Sequence, residues 1–165
     1  MKPALLVIDV QKQFFGRTPA ADETLSRAID TINPAIRLFR QKGLPVLCVQ
    51  HINEADGLLP GTPGFDLPEQ LEILATDPHI HKTYGNSFNK TELEQTLKSL
   101  NVDTVIITGY AAKNCVLSTY RGALDRDLSP IILRGAIASS NPGNIPFVEN
   151  INDIISLGAL KKVLA

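Results

Sequence analysis

The chain has 165 residues, 44% of them hydrophobic and 20% charged, which predicts one ordinary globular domain spanning 1–165 with a core that needs no staples. With 16 basic and 17 acidic residues the net charge is −1, which excludes the basic footprint of a nucleic-acid or anionic-membrane binder. Two cysteines, Cys48 and Cys115, make no disulfide framework and predict a reducing, cytoplasmic setting.

The first element is a continuous apolar run, Ala4 to Val10, broken only by Asp9. Such a run predicts a strand buried on both faces, as in a parallel sheet. It is too short for a signal segment, and no run in the chain approaches the roughly 20 residues needed to cross a bilayer. Ile29, Ile32, Ile36 and Phe39 recur at helical spacing, which predicts a helix over 22–41, with a kink or break at Pro34 and Gly43 as its C-terminal stop. A second strand follows over 45–52. Residues 53–68 are rich in Gly, Pro and Asp and predict a long surface loop whose Leu58 and Leu59 are exposed.

A short helix is predicted over 69–75 and a short third strand over 79–82. Thr91 and Glu94 have capping-box spacing at the start of a helix over 91–100. The β-branched run 102–108 predicts a central strand, 109–114 a turn, 115–127 a helix and 130–133 a fifth strand. A last helix over 146–157 and a weak tail strand over 158–164 complete the chain. Strands alternating with helices predict a three-layer αβα fold, with an open, mostly parallel, Rossmann-like sheet of about six strands. No Gly-rich phosphate loop of either common type follows a strand, so no nucleotide or other cofactor is expected.

In an open parallel sheet, ligands bind beyond the carboxyl ends of the strands. That rule gathers Asp9, His51, Lys82 and the turn from Gly109 to Cys115. Cys115 follows a strand and a turn and starts a predicted helix, where the macrodipole would lower a thiol's pKa and free N–H groups would face an oxyanion. Cys48, midway along an apolar strand, has the pattern of a core residue. Asp9 closes an apolar run, where an acid is costly to bury unless paired. Taken singly, each residue also has a structural reading: Cys115 as packing, Asp9 as a cap, Lys82 as a solvated lysine.

Three segments carry a resemblance across nearly the whole chain. They are Asp9-Val-Gln11 with Phe14 and Phe15, Lys82 with Asn86-Ser-Phe88, and Gly109-Tyr-Ala-Ala-Lys-Asn-Cys115-Val. In order and spacing they resemble the isochorismatase-like cysteine hydrolases, which include nicotinamidases and N-carbamoylsarcosine amidohydrolases. The resemblance implies a catalytic triad of Asp9, Lys82 and Cys115. It also implies a cis peptide between Tyr110 and Ala111, and an oxyanion hole from the N–H groups of Ala111 and Cys115. A nucleophilic thiol favours acyl chemistry on an amide or carbamoyl C–N bond of a small-molecule substrate. Gln11, Phe14, His51, Tyr84, Phe88 and Tyr110 are the expected substrate contacts. A homo-oligomer, dimer or tetramer, is expected from the same resemblance.

The chain departs from the pattern in two places. The turn before the cysteine holds Ala112, Lys113 and Asn114 where the family often has Thr and an acidic or amide residue. The Asp-x-His metal motif of nicotinamidases is missing, since His51 is followed by Asn53 and Asp56, so no metal is expected. His79 and His81 share one side of a strand but lack recognised ligand spacing. The rival readings are a hydrolase of an ester or vinyl ether, a redox-sensing thiol protein, and a non-catalytic binding module that retains the fold.

Overall fold

The computed structural model describes residues 1–165. Six strands form one parallel sheet: β1 (Pro3–Ile8), β2 (Val46–His51), β3 (His79–Lys82), β4 (Thr104–Tyr110), β5 (Ser129–Ala138) and β6 (Ile154–Ile155). Their order across the sheet is β3-β2-β1-β4-β5-β6. The order reverses between β1 and β4, and such a switch point opens a crevice at the strands' carboxyl ends.

Five helices cover the two faces: α1 (Pro19–Gln41), α2 (Leu93–Ser99), α3 (Leu117–Leu124), α4 (Asn144–Asn150) and α5 (Leu157–Val163). Side chains alternate along β1 and so divide the core. Ala4, Leu6 and Ile8 pack with Leu93, Leu97, Tyr120 and Val148 of α2, α3 and α4. Leu5 and Val7 pack with Ile29, Ile32, Ile36 and Phe39 of α1 and Leu160 of α5. All six β1 residues are buried, as the unbroken apolar run requires. No helix is long and apolar enough to cross a membrane.

The helix starts and stops follow local chemistry. Thr18 caps α1 by accepting from the Ala21 N–H at 3.1 Å, so the helix begins at Pro19 rather than at residue 22. Pro34 does not break it. At the other end the Gly43 N–H donates to Arg40 O and the Leu44 N–H to Phe39 O, with Gly43 at φ +64°. These two bonds make a Schellman stop.

Several expectations fail for identifiable reasons. Residues 69–75 form no helix. The Asn33 side chain donates to Gln70 O (2.7 Å) and accepts from the Glu72 N–H (3.0 Å), and Arg40 donates to Glu72 O. Side chains of α1 thus claim backbone groups that a helix would need. Thr91 and Glu94 form no capping box, because Glu94 pairs instead with Lys98 and Arg126. The helix expected over 146–157 stops at Asn150, and Ile154–Ile155 pairs with Ile132 and Leu133 of β5. Ser156 then caps α5, so the tail is helical rather than a strand. Leu58 is buried rather than exposed.

One glycine is fixed by the sheet itself. Gly109 lies opposite Ile8 in the β1–β4 ladder at φ +112°, and a Cβ there would overlap the Ile8 carbonyl oxygen. Gly109→Ala combines a disfavoured backbone with a collision against main chain that cannot move. It is expected to lower Tm by about 10 °C, as a ~3 kcal/mol loss does in a domain of this size. A thermal melt of the variant checks this, and an unchanged Tm contradicts it.

Candidate active site

The chain leaves β1 at Asp9, whose backbone turns at φ +52° while its N–H still bonds Val49 O at 2.9 Å. That conformation is uncommon outside glycine but tolerated by Asp. His51 ends β2 and Lys82 ends β3, paired with each other in the ladder. Beyond β4 the Tyr110–Ala111 peptide is cis, and Ala112–Val116 form a five-residue π-turn leading into α3. Cys115 therefore sits inside an over-wide turn rather than starting the helix. Such π-turns frequently occur at functional sites.

The Lys82 ammonium stands at the centre of the site. It donates to Asp9 Oδ2 at 2.8 Å, to His51 Nδ1 at 2.8 Å and to Cys115 Sγ at 3.3 Å, which uses all three of its protons. Both members of the Lys82–Asp9 pair are buried to about 1% exposure. Since Lys82 donates to Nδ1, His51 is the neutral tautomer with its proton on Nε2. Its pKa is accordingly lowered, first by burial and then by the Lys82 charge. Asp9 Oδ1 is buried and has no hydrogen-bond partner in the chain. A carboxylate oxygen of Asp9, a ring nitrogen of His51 and Cys115 Sγ lie within 4.8 Å of one another. They are the donor set a metal ion would use, but the ammonium already bonds all three residues, so a cation there would have to displace Lys82.

The expected low thiol pKa is corrected. Burial, and next the negative charge of Asp9, push the Cys115 thiol up to about 12 although Lys82 opposes them. Both influences favour the protonated, neutral thiol. Alkylation of Cys115 by iodoacetamide is therefore expected to rise about tenfold per pH unit from 7 to 10, with no plateau near neutrality. Asp9→Asn removes a charge that holds the proton on and should accelerate the reaction. A plateau near pH 7 in the wild-type rate contradicts this. Burial pushes the Cys48 thiol higher still, in keeping with its place in the core.

These groups open into a pocket of about 190 Å³. Asp9, His51, Cys115 and Ala111 line it together with Phe14 and Tyr110, whose ring centroids are 4.9 Å apart. Arg17, Lys113, Asn114, Ser139 and Ser140 complete it. The other expected contacts lie elsewhere. Gln11 is fully buried and clamps the His51 main chain, donating to its carbonyl (3.0 Å) and accepting from its N–H (2.8 Å). Phe88 is 3% exposed in the core. Tyr84 is 42% exposed and accepts from Lys90 Nζ. Ser87 bonds Thr119 through both its N–H and its hydroxyl, tying the loop after Lys82 to the helix after Cys115. His79 contacts Gln50 and Leu74 O, and His81 packs edge-on against Phe65, so the two form no joint site.

Sequence reasoning missed Ser139 and Ser140. They reach the pocket because β5 bulges opposite β4: the pairing steps from Ile107–Ile132 to Gly109–Ile137. Gly135, at φ +79° after Arg134 and between the apolar stretches 130–133 and 136–138, was the available signal.

The isochorismatase domain family matches residues 3–147. The isochorismatase family protein YddQ of Bacillus subtilis (strain 168) is 30% identical over 143 residues, 85% of this chain and 79% of YddQ. YrdC of the same organism is 34% identical over 122 residues, and the match spans 73% of this chain and 65% of YrdC. N-carbamoylsarcosine amidase of an Arthrobacter species is 29% identical over 151 residues, 80% of this chain and 55% of that protein. Among solved structures, an isochorismatase family protein from Desulfovibrio vulgaris superposes with TM-score 0.89 at 26% identity, covering 99% of this chain and 98% of its own. N-carbamoylsarcosine amidase from Thermoplasma acidophilum superposes with TM-score 0.80 at 26% identity, covering 94% and 96%. With the family matched over most of its length and the fold shared end to end, this chain belongs to the isochorismatase family of hydrolases.

Proposed function

We propose that the chain hydrolyses a C–N bond of a small amide or carbamoyl compound through a covalent acyl-enzyme on Cys115. The observation that carries this is the arrangement at the thiol: a buried Lys82–Asp9 pair beside Cys115, with Asp9 Oδ1 unpartnered. A thiol held protonated needs a base at the moment of attack, and a lone carboxylate oxygen is one.

In the proposed cycle Asp9 takes the Cys115 proton as Sγ bonds the carbonyl carbon. The carbonyl electron pair moves onto oxygen, where the Ala111 and Cys115 N–H groups stabilise it. Collapse breaks the C–N bond, and the leaving nitrogen takes the proton from Asp9. Water then adds to the thioester, giving its proton to Asp9. The S–C bond breaks to release the acid, and Asp9 returns the proton to sulfur. Lys82 holds Asp9 in place and balances its charge throughout. The amidase relatives support a C–N bond over an ester.

Ammonia release from a panel of small primary amides and N-carbamoyl compounds, run beside matched esters, tests the bond cleaved. Ammonia-producing turnover of at least one amide or carbamoyl compound is expected. Turnover confined to esters contradicts the reading.

A further inference from the structure

We propose that Arg17 and Lys113 make the pocket selective for a substrate carrying a carboxylate at the end away from the scissile carbonyl. The inference rests on Cys115 being the reacting atom.

The charges around the pocket do not cancel. Asp9 is its only acidic lining residue, and its charge is matched by the buried Lys82 beneath it. Asp56, near enough to act on His51, is held by the Asn53 side chain at 2.7 Å and does not line the pocket. What remains is two cations at the rim, Arg17 and Lys113, neither of them in an ion pair.

Both cations are poised rather than spent. The Arg17 guanidinium lies 5.2 Å from the Phe14 ring centroid, and its Nε donates to Gln13 O at 3.1 Å. Those two contacts orient the fork and leave its terminal nitrogens free for a carboxylate, which a guanidinium meets two-pronged. Lys113 stands on the π-turn two residues before Cys115, with its side chain exposed. At about 190 Å³ the space lies below the usual range of ligand pockets, which suits a small amide acid. A substrate bound this way has its carbonyl at the thiol and its anionic end toward the two exposed cations.

A pair of small alkylating agents reads this charge without any substrate. Iodoacetate carries the carboxylate and iodoacetamide does not, and the ratio of their rates cancels the intrinsic reactivity of the thiol. Rates are followed by mass spectrometry of the Cys115 peptide, with glutathione as the free-thiol reference. The iodoacetate-to-iodoacetamide ratio at Cys115 is expected to exceed that of glutathione about tenfold, the size expected of one or two partly screened charges. In the double variant Arg17→Gln/Lys113→Gln, and in about 0.5 M added salt, the ratio should fall to near the glutathione value. A wild-type ratio no higher than that of glutathione overturns the inference, and so does an elevated ratio that the double substitution leaves unmoved. Failure of the amidase reading would instead appear as absent ammonia release with this ratio intact.

Discussion

Lys82→Met is expected to destabilise the protein by about 3–5 kcal/mol and to abolish hydrolysis. The variant leaves the Asp9 carboxylate buried at about 1% exposure with neither of its oxygens bonded to a side chain in the site. It also frees the acceptor nitrogen of His51. At this chain length the loss corresponds to a Tm lower by about 10 °C. The double variant Asp9→Asn/Lys82→Met separates the two roles. It removes both charges and keeps similar volumes, so most of the lost stability should return while activity stays absent. A single variant that melts with the wild type contradicts a dry, mutually dependent pair. A double variant as unstable as the single one shows instead that Lys82 acts through packing.

Much of this site was legible in the sequence because the fold reduces its assembly to a rule. Apolar runs that end in a polar residue mark strand ends, and a parallel sheet brings those ends together. Asp9, His51 and Lys82 follow from that rule alone, since each closes a strand or stands one residue past its end. Residues set by irregular backbone were not legible. Ser139 and Ser140 depend on the bulge in β5, and Arg17 on the loop between β1 and α1. The state of the thiol was misjudged for the same reason. Its position after a turn suggested a helix start and a low pKa, whereas the π-turn sets Cys115 in a half-buried place beside Asp9. Segment 69–75 shows the remaining limit. Its pattern fits a helix, but hydrogen bonds from Asn33 and Arg40, more than 30 residues earlier, decide otherwise.

Cys115→Ala is expected to reduce hydrolysis by about 10³-fold or more, as loss of a covalent nucleophile does. The fold should be nearly unaffected. The thiol is only partly buried, the contact it accepts from Lys82 is long at 3.3 Å, and alanine creates no unpaired charge. Lys82 keeps both Asp9 and His51, so Tm should stay within a few degrees of the wild type. Activity and stability therefore separate at Cys115 and fall together at Lys82. That contrast distinguishes the reacting atom from the group that supports its base.

The covalent step itself is tested most directly by intact-protein mass spectrometry during turnover of an amide found in the ammonia screen. The wild-type protein quenched in acid should carry one acyl group, added by loss of the amine and located on the Cys115 peptide. The Cys115→Ala protein should carry none and release no ammonia. Continued turnover by Cys115→Ala, with no adduct on wild-type Cys115 at saturating substrate, would contradict the account.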